Sequence, residues 1–302
     1  MSISTKVVFN RKTMEQVTES RRKPIVVGIG ELLWDMLPSG KKAGGAPINF
    51  VYHASCLGAE GYAISAVGDD ELGKEIVDEL DKNHIQHLIE KVPYPTGTVQ
   101  VELREGIPTY TIHERVAWDH ISPTSDAIDL AEKADAICFG TLAQRSRQSR
   151  ETIQAISSFA PKDAYRLLDI KRYYDKELIE ESLYLANVLK VNDEEFNVLR
   201  DLFGLNGTER EVALWFIEKY DLRIFALTAG SSHSTIYTRE ETSTLPTPEV
   251  TVADTVGAGD AFSGALIISL LKGKSLSEAH HFAVKTAAFV CTKEGAWPVY
   301  EE

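Results

Sequence analysis

The sequence predicts an α/β fold in which a mostly parallel central sheet is covered by helices on both faces and carries a small separate β-sheet. Short apolar segments alternate with helical segments along most of the 302 residues. Strands that alternate with helices form parallel sheets, because each helix returns the chain across a face of the sheet. One segment of alternating residues, 96–112, interrupts this pattern and predicts a hairpin outside the main sheet.

The amino-terminal half contains the clearest alternation of strand and helix. PIVVGIG (24–30) is typical of a short buried strand. APINFVYHASCLG (46–58) predicts a helix, with proline in its first turn and glycine just past its end. A second strand and helix follow at 62–68 and 70–83. Further strands are predicted at 135–140, 164–170, 186–191 and 222–230, with helical stretches between them.

The alternating segment has a clear apolar face. Val99, Val101 and Leu103 share that face, and Glu105-Gly106 provides a turn. A small sheet on an α/β body is a natural lid over a cleft, although the same pattern also fits an ordinary surface hairpin.

The expected domain organisation is simple. We expect one main domain over 24–302, with the lid at about 96–118, and an extension over 1–23. The extension contains six Lys or Arg and two Glu residues, and so carries a net charge of +4. Such a composition fits a solvated terminal arm.

Composition excludes several classes of protein. The formal net charge of −13 argues against a nucleic-acid-binding protein, although it leaves room for a small anionic ligand. No apolar stretch approaches the roughly 18 residues of a membrane span, and no hydrophobic signal core begins the chain. The three cysteines match no metal-binding spacing and no disulfide framework. We therefore expect a cytoplasmic protein with no membrane partner.

Two glycine-containing segments directly follow or precede predicted elements. Gly44 and Gly45 in AGGAPINF stand before a helix, where free backbone amides could meet an oxygen-rich ligand. They fit a tight strand-to-helix turn equally well. GIGE at 28–31 lacks the third glycine of the dinucleotide fingerprint, because Leu33 occupies its place. A nicotinamide site is therefore not expected.

An acidic cluster follows the strand predicted at 186–191. VNDEEF contains Asn192, Asp193, Glu194 and Glu195. Ligands of open α/β sheets bind beyond the carboxyl ends of the strands, and oxygen-rich side chains there suit Mg²⁺. The same residues would also be favoured at a helix amino terminus by the helix dipole alone.

ADTVGAGDAF (253–262) is the most specific segment. Gly257, Ala258 and Gly259 precede an apolar helix and would present several backbone amides to one anion. Asp260 beside them could accept a proton from an attacking hydroxyl group. An anion hole next to a carboxylate base is the minimum equipment for phosphoryl transfer to an alcohol. The alternative is a glycine turn at the start of a buried helix.

Together these motifs resemble the signatures of the ribokinase-like (PfkB) carbohydrate kinases, from about residue 24 to residue 298. The GGAP form, with GELLWD upstream of it, is most similar to the fructokinase branch. The segments that carry the resemblance are DTVGAGDAFSGAL (254–266), GGAPINFVYHASCLG (44–58), VGDDELGKEI (67–76), VNDEE (191–195) and LTAGSSHSTIY (227–237).

The resemblance implies a role for each matched residue. Asp260 would be the catalytic base, beside the anion hole of Gly257, Ala258 and Gly259. The sugar hydroxyls would be held by Asp35, Gly44, Gly45, Asn49 and Arg172. The nucleotide would lie against Asn192, Thr228 and Gly230. Glu195 would organise Mg²⁺ through water, and Asp254 occupies the place of a monovalent cation ligand, such as a ligand of K⁺, in many relatives.

The resemblance thus implies an ATP-dependent sugar kinase. It would transfer the γ-phosphoryl group of Mg·ATP to a hydroxyl of an unphosphorylated sugar, and a fructokinase is favoured. LDIKRYY departs from the family pattern, because Lys171 stands in the register of an asparagine. A kinase for another sugar or a riboside, and a non-catalytic sugar or nucleotide sensor, remain as alternatives. The expected partners are the sugar, ATP and a second copy bound through the lid.

Overall fold

The computed structural model describes residues 22–37, 40–104 and 107–300. The predicted extension therefore lies almost wholly outside the described residues, and so does the predicted turn at Glu105-Gly106. Arg22, the first described residue, donates hydrogen bonds of 2.7 and 2.9 Å to the two carboxylate oxygens of Asp135.

The described residues form thirteen strands and nine α-helices. The strands are β1 (Ile25–Ile29), β2 (Leu33–Leu37), β3 (Gly40–Gly44), β4 (Glu60–Gly68), β5 (Gln86–Val92), β6 (Gly97–Arg104), β7 (Ile107–Ile112), β8 (Ala136–Gly140), β9 (Tyr165–Asp169), β10 (Val188–Asn192), β11 (Ile224–Ala229), β12 (His233–Tyr237) and β13 (Thr242–Pro246). The helices are α1 (Ala46–Cys56), α2 (Glu71–Lys82), α3 (Ser125–Ala131), α4 (Arg147–Ser158), α5 (Lys176–Leu185), α6 (Asp193–Leu202), α7 (Glu209–Tyr220), α8 (Ala258–Leu271) and α9 (Leu276–Cys291).

Nine strands form the central sheet, in the order β13-β12-β11-β10-β9-β8-β1-β4-β5. The strands from β11 to β5 run parallel to one another, and only the β12 and β13 edge is antiparallel. The predicted mostly parallel sheet is confirmed. Because the parallel strands share a direction, their carboxyl ends all lie at one edge of the sheet.

The helices cover both faces of this sheet. Helices α3 to α7 pack on one face, where Val27, Phe139 and Phe225 point. Helices α1, α2, α8 and α9 pack on the other face, against Val26 and Ala226. Adjacent residues of one strand thus enter opposite cores, as the pleat of a strand requires. This arrangement confirms the predicted three-layer α/β/α architecture.

Helix α8 lies between its neighbours and is apolar on all sides. Residues 260–269 of this helix are buried, which is typical of a helix enclosed by other elements. It packs closely on α1 at Gly264, where a Cβ atom would lie 3.2 Å from the carbonyl oxygen of Phe50. The close approach brings the amino-terminal turns of α1 and α8 side by side.

The predicted hairpin is present as β6 and β7, and it belongs to a second sheet. This four-stranded sheet has the order β3-β2-β6-β7, and β2 runs parallel to β6. Leu33 and Val99 form its buried centre, packed against Ile112. The indole N–H of Trp34 donates a 2.9 Å hydrogen bond to the Leu72 carbonyl, which joins the small sheet to α2.

The chain returns to the main body soon after β7. Trp118 is 1% exposed and belongs to the core beneath α3 and α4. None of the three cysteines forms a disulfide bond. Among the residues that the structure describes, no helix combines the length and apolar character that crossing a bilayer requires.

The burial of His280 in α9 predicts that the free energy of unfolding depends on pH. It is fully buried, with Nε2 2.8 Å from Ser234 Oγ and Nδ1 2.8 Å from Ser243 Oγ. Burial lowers the pKa of His280 from 6.5 to about 4. The unfolded chain therefore binds the proton first, and stability that is complete above pH 6.5 should fall as the pH drops towards 4.

We expect this histidine to account for a loss on the order of 3 kcal/mol in the free energy of unfolding across that range. Urea unfolding of the wild type and of His280→Gln at several pH values measures it. The glutamine variant should show a flatter pH dependence between 6.5 and 4. Identical slopes for the two proteins would contradict the assignment.

Candidate active site

The candidate site lies at the carboxyl edge of the central sheet. Asp169 ends β9, Asn192 ends β10, and Thr228 lies near the end of β11. The amino-terminal turns of α1 and α8 face the same edge, with Asn49 and Asp260 in them. Segments far apart in the chain thus bring their polar residues together.

Asp260 lies in the first turn of α8, and its position depends on glycine. Gly257 precedes the helix in a left-handed conformation with φ 78° and ψ −6°. A Cβ atom there would lie 2.8 Å from Cβ of Ala296, so a larger residue would clash and be strained. Glycine has no side chain to cap the helix amides. The helix start therefore keeps its positive potential for another group.

The two oxygens of the Asp260 carboxylate have different surroundings. Oδ2 accepts a 2.8 Å hydrogen bond from Nδ2 of Asn49. Oδ1 is buried and accepts no hydrogen bond from any residue that the structure describes. The ammonium group of Lys171 lies 3.6 Å from Oδ1. One oxygen is thus fixed by an amide, and the other faces a cation and is available to accept a proton.

A chain of alternating charges continues from Asp260 into the sheet. Lys171 Nζ lies 3.2 Å from Asp169 Oδ2, and Lys190 Nζ lies 3.6 Å from Asp169 Oδ1. A Cβ atom at Gly259 would lie only 2.9 Å from the Lys190 ammonium. The backbone of the predicted anion hole therefore faces a buried cation, which adds to the positive potential of the helix start.

Burial shifts the pKa values of Asp260 and Lys171 towards their neutral forms, and the attraction between their opposite charges counteracts this shift. Burial raises the pKa of Asp260 above its usual range, while the charge of Lys171 opposes that rise. For Lys171, burial alone would lower the pKa, but the charges of Asp169 and Asp260 prevail and hold it well above its usual value. The lysine is therefore an ammonium ion at neutral pH.

Glu31 is a further buried acid at this edge. Its Oε1 accepts a 3.3 Å hydrogen bond from the Ala46 amide at the start of α1. Burial raises its pKa to about 7, and the charges of Asp169 and Asp260 add to the effect. Gly45 makes this contact possible, because it adopts φ 121° and a Cβ atom there would lie 2.0 Å from the Glu31 carbonyl oxygen.

Asn192 and Glu195 form a reciprocal cap at the start of α6. The Asn192 side chain accepts a 2.7 Å hydrogen bond from the Glu195 amide, and the Glu195 carboxylate accepts one of 2.7 Å from the Asn192 amide. Glu195 is 4% exposed, and burial raises its pKa although Lys190 and Lys171 oppose the rise. The acidic cluster thus stabilises a helix start, and its predicted metal role stays a prediction.

Asp35 reaches the site from the small sheet. It lies on β2, and a Cβ atom at Gly44 would lie 3.1 Å from Asp35 Oδ2. Burial raises the pKa of Asp35 to about 6, Asp254 adds to this rise, and Arg172 opposes it. Arg172 has a left-handed backbone with φ 48°, which is uncommon for a residue with a side chain. Asp35 therefore shares one neighbourhood with Gly44, Asp254 and Arg172.

Asp254 shapes the turn that leads into α8. Its Oδ1 accepts hydrogen bonds of 2.7 and 3.0 Å from the amides of Thr255 and Val256. Its Oδ2 accepts one of 3.0 Å from the amide of Gly295. Both oxygens thus hold backbone, and the predicted contact with a monovalent cation would use their remaining lone pairs.

The predicted nucleotide residues lie on adjacent strands. Thr228 of β11 is the direct register partner of Asn192 of β10. Gly230 begins the turn to β12 with φ 50°, and its carbonyl accepts a 2.8 Å hydrogen bond from Thr247 Oγ1. These residues lie at the same edge of the sheet. They are on the side of β9 that faces away from β1.

The residues of the site to which the sequence assigned no role include Lys190, Glu31 and Trp297. Lys190 carried a usable signal, because a lysine inside the apolar strand ANVLKV requires a buried partner. Glu31 followed a buried strand but matched no spacing. Trp297, whose indole N–H donates a 2.8 Å hydrogen bond to Asn49 Oδ1, lies 248 residues away from that asparagine.

The site offers few direct metal ligands. Throughout 22–37, 40–104 and 107–300, no group of three or more His, Cys, Asp or Glu side chains could hold a metal ion. Mg²⁺ needs few protein ligands when phosphate and water complete its shell, and the buried carboxylate of Glu195 fits that mode. Two surface depressions of about 450 and 510 Å³ lie at the amino ends of the strands, away from this chemistry.

Proteins of similar sequence include carbohydrate kinases. The sequence model of the pfkB family of carbohydrate kinases matches residues 39–301. A Pyrococcus horikoshii protein described as a sugar kinase is 30% identical over 297 residues, which cover 90% of this chain and 92% of that protein. A fructokinase of Rhizobium leguminosarum bv. trifolii is 26% identical over 264 residues, which cover 82% of this chain and 79% of the fructokinase.

Solved structures share the architecture. A crystal structure of an uncharacterized sugar kinase from Pyrococcus horikoshii in complex with ATP has a TM-score of 0.76 and 27% identity, and covers 90% of this chain and 94% of that chain. An E. coli structure described as a ribokinase II has a TM-score of 0.80 and 18% identity, and covers 93% of this chain and 96% of that chain. The predicted ribokinase-like fold is confirmed.

The charge pairing at the site predicts the titration of Asp260. Replacing Lys171 by methionine keeps much of the side-chain volume and removes the nearest cation. The pKa of Asp260 should rise, because the charge of Lys171 opposes the effect of burial. Carbonyl ¹³C NMR titration of the Asp260 carboxyl group measures this value. Lys176→Met, on the surface of α5, serves as the control and should leave it unchanged. An unchanged or lower Asp260 pKa in Lys171→Met would contradict the pairing.

Proposed function

The chain belongs to the pfkB family of carbohydrate kinases, and we propose that it transfers the γ-phosphoryl group of ATP to a hydroxyl of an unphosphorylated sugar, with fructose as the acceptor. The observation that carries this proposal is the buried Asp260, whose Oδ1 has no hydrogen-bond donor among the described residues and lies at the start of α8. A proton acceptor beside a positive helix start suits attack of an alcohol on a phosphate.

Asp260 acts as general base in the proposed reaction. Its Oδ1 accepts the proton of the sugar hydroxyl as the hydroxyl oxygen forms a bond to the γ-phosphorus. The bond between the γ-phosphorus and the bridging oxygen breaks, and ADP leaves with that electron pair. The negative charge that develops on the γ-phosphoryl oxygens is stabilised by the backbone amides of Gly257, Ala258 and Gly259 and by the ammonium groups behind them.

The ammonium groups of Lys190 and Lys171 are the side-chain cations that lie beside the proposed reaction. Lys190 lies directly behind the Gly259 backbone, and Lys171 lies between Asp169 and Asp260. Mg²⁺, when bound to the nucleotide, would neutralise phosphate charge, and Glu195 would contact it through water. Asn192, Thr228 and Gly230 would hold the remainder of the nucleotide at the ends of β10 and β11. Asp254 would take the monovalent cation.

The sugar would lie between the body and the small sheet. Asp35 on β2, the Gly44-Gly45 turn, the second amide N–H of Asn49, and Arg172 would meet its hydroxyls. The four-stranded sheet would act as the lid of the 24–302 domain and exclude water, which otherwise competes for the phosphoryl group. A second copy of the chain could pair through this sheet, and we propose a cytoplasmic homodimer.

The choice of fructose as the acceptor rests on two similarities. The similarity to a fructokinase at 26% identity supports it, as does the GGAP turn. Lys171, which replaces an asparagine of the fructokinase pattern, favours a second candidate: another unphosphorylated sugar or a riboside as acceptor. A panel of hexoses, pentoses and ribosides in an ADP-release assay distinguishes the two. Binding of one of these compounds without turnover would instead indicate a sensor.

Replacement of the proposed base should separate binding from chemistry. Asp260→Asn keeps the shape of the side chain and removes the proton acceptor, so turnover should fall by about 10²–10⁴. Calorimetry should show ATP and sugar still binding with affinities close to those of the wild type. Ser269→Ala, a buried serine further along α8, serves as the control. Unimpaired turnover in Asp260→Asn would show that Asp260 is not the base.

The pKa of Asp35 predicts how sugar binding depends on pH. Because that pKa is raised to about 6, Asp35 becomes protonated as the pH falls below 6 and loses its charge as an acceptor of sugar hydroxyls. Sugar affinity should then weaken by up to about ten-fold per pH unit, the limit for a single proton.

Calorimetric titrations with the sugar between pH 7.5 and 5 measure this dependence. Asp35→Asn should bind more weakly at pH 7.5 and show little pH dependence. ATP binding should remain the same in both proteins. An equally steep pH dependence in Asp35→Asn would assign the titration to another group.

A further inference from the structure

The carboxyl-terminal segment, residues 295–300, is built into the candidate site. The Gly295 amide donates to Asp254 Oδ2, and Ala296 fills the space in front of Gly257. Trp297 stacks on Tyr52 of α1, with ring centroids 5.5 Å apart and an interplanar angle of 11°. This segment therefore touches the turn before α8, the glycine at its start and the helix that carries Asn49.

The Trp297 indole determines which way the Asn49 amide points. An indole N–H can only donate a hydrogen bond, so the atom that faces it must be the amide oxygen, Oδ1. The amide nitrogen then has to point the other way, towards Asp260 Oδ2 at 2.8 Å. With the amide reversed, an oxygen would face the carboxylate and a nitrogen would face the indole, and both contacts would be repulsive.

We propose that Trp297 is a positioning residue, which holds the Asn49 amide as a donor to Asp260 Oδ2 and thereby keeps Oδ1 free and directed for proton transfer. The role rests on the proposed function of Asp260 as base. Trp297 itself touches neither the carboxylate nor the reacting atoms. It acts through one hydrogen bond, and its stacking on Tyr52 fixes the plane of the indole ring.

The chain contains a matched control for this role. The Tyr52 hydroxyl donates a 2.7 Å hydrogen bond to the Pro298 carbonyl. Tyr52→Phe and Trp297→Phe each remove one hydrogen bond between α1 and the same segment while keeping an aromatic ring in the stack. Only Trp297→Phe frees the Asn49 amide. If the segment had only a structural role, both substitutions should have the same effect on kcat and on the pKa of Asp260.

The first test is kinetic. In Trp297→Phe, kcat should fall about ten-fold, the effect of one lost hydrogen bond in the transition state, while KM for ATP stays the same. Tyr52→Phe should keep kcat within about two-fold. In an Asn49→Ala background, Trp297→Phe should cause no additional loss, because the two residues act through one contact. Additive losses, or equal losses in both phenylalanine variants, would overturn the proposal.

The second test needs no turnover. The Asn49 hydrogen bond lowers the pKa of Asp260, so Trp297→Phe should raise that pKa in a ¹³C NMR titration, and Tyr52→Phe should not. The charged and titratable groups that face Asp260 are unchanged by either substitution: Glu31, Cys138, Asp169, Lys171 and Lys190. An unchanged Asp260 pKa in Trp297→Phe would refute the positioning role even in an active kinase. If the wild type has no kinase activity, the proposed function is refuted. The pKa measurement then still tests whether Trp297 orients the Asn49 amide.

Discussion

The burial of the Asp260 carboxylate is the constraint on which the rest of the site depends. A carboxylate removed from water is stable only where donors and cations replace its hydration. Asn49 supplies the donor at 2.8 Å and Lys171 the cation at 3.6 Å. One comes from α1 and the other from the chain after β9. The site therefore exists only when α1 and α8 pack together at the carboxyl edge of the sheet, which Gly264 permits.

The same burial links the charges of the site to the proposed reaction. Asp169, held between two lysines, keeps Lys171 charged and close to Asp260. Lys171 in turn lowers the pKa of Asp260 against the effect of burial, and so sets how strongly the carboxylate would accept the proton of the sugar hydroxyl in the proposed reaction.

Local patterns predicted the fold well, because each depends on neighbouring residues. The apolar strands, the helix after Gly45 and the hairpin at 96–112 all follow from periodicity and turn residues, and they are present. Strands β2 and β3 were not predicted, since segments of only five residues carry little periodicity. The pairing of β2 with β3 and β6 places Asp35 on the small sheet rather than on the main body.

The site was predictable only in part, for a related reason. Motif residues such as Asp260 and Asn49 could be matched to a family, and the structure places them in contact. Trp297 could not be found, because its role depends on a single hydrogen bond across 248 positions. The orientation of an amide, the ionisation of Lys171 and the capping of α6 by Glu195 are likewise properties of the folded arrangement and not of any segment.

In the proposed reaction, this edge of the sheet transfers a phosphoryl group to a sugar hydroxyl and not to water. ³¹P NMR can follow this transfer in a mixture of the wild-type protein, Mg·ATP and fructose, or the best acceptor from the sugar panel. The γ-phosphate resonance of ATP should be replaced by that of a sugar phosphomonoester, in an amount equal to the ADP formed. Inorganic phosphate as the product, or an unchanged ATP spectrum with every acceptor, would contradict it.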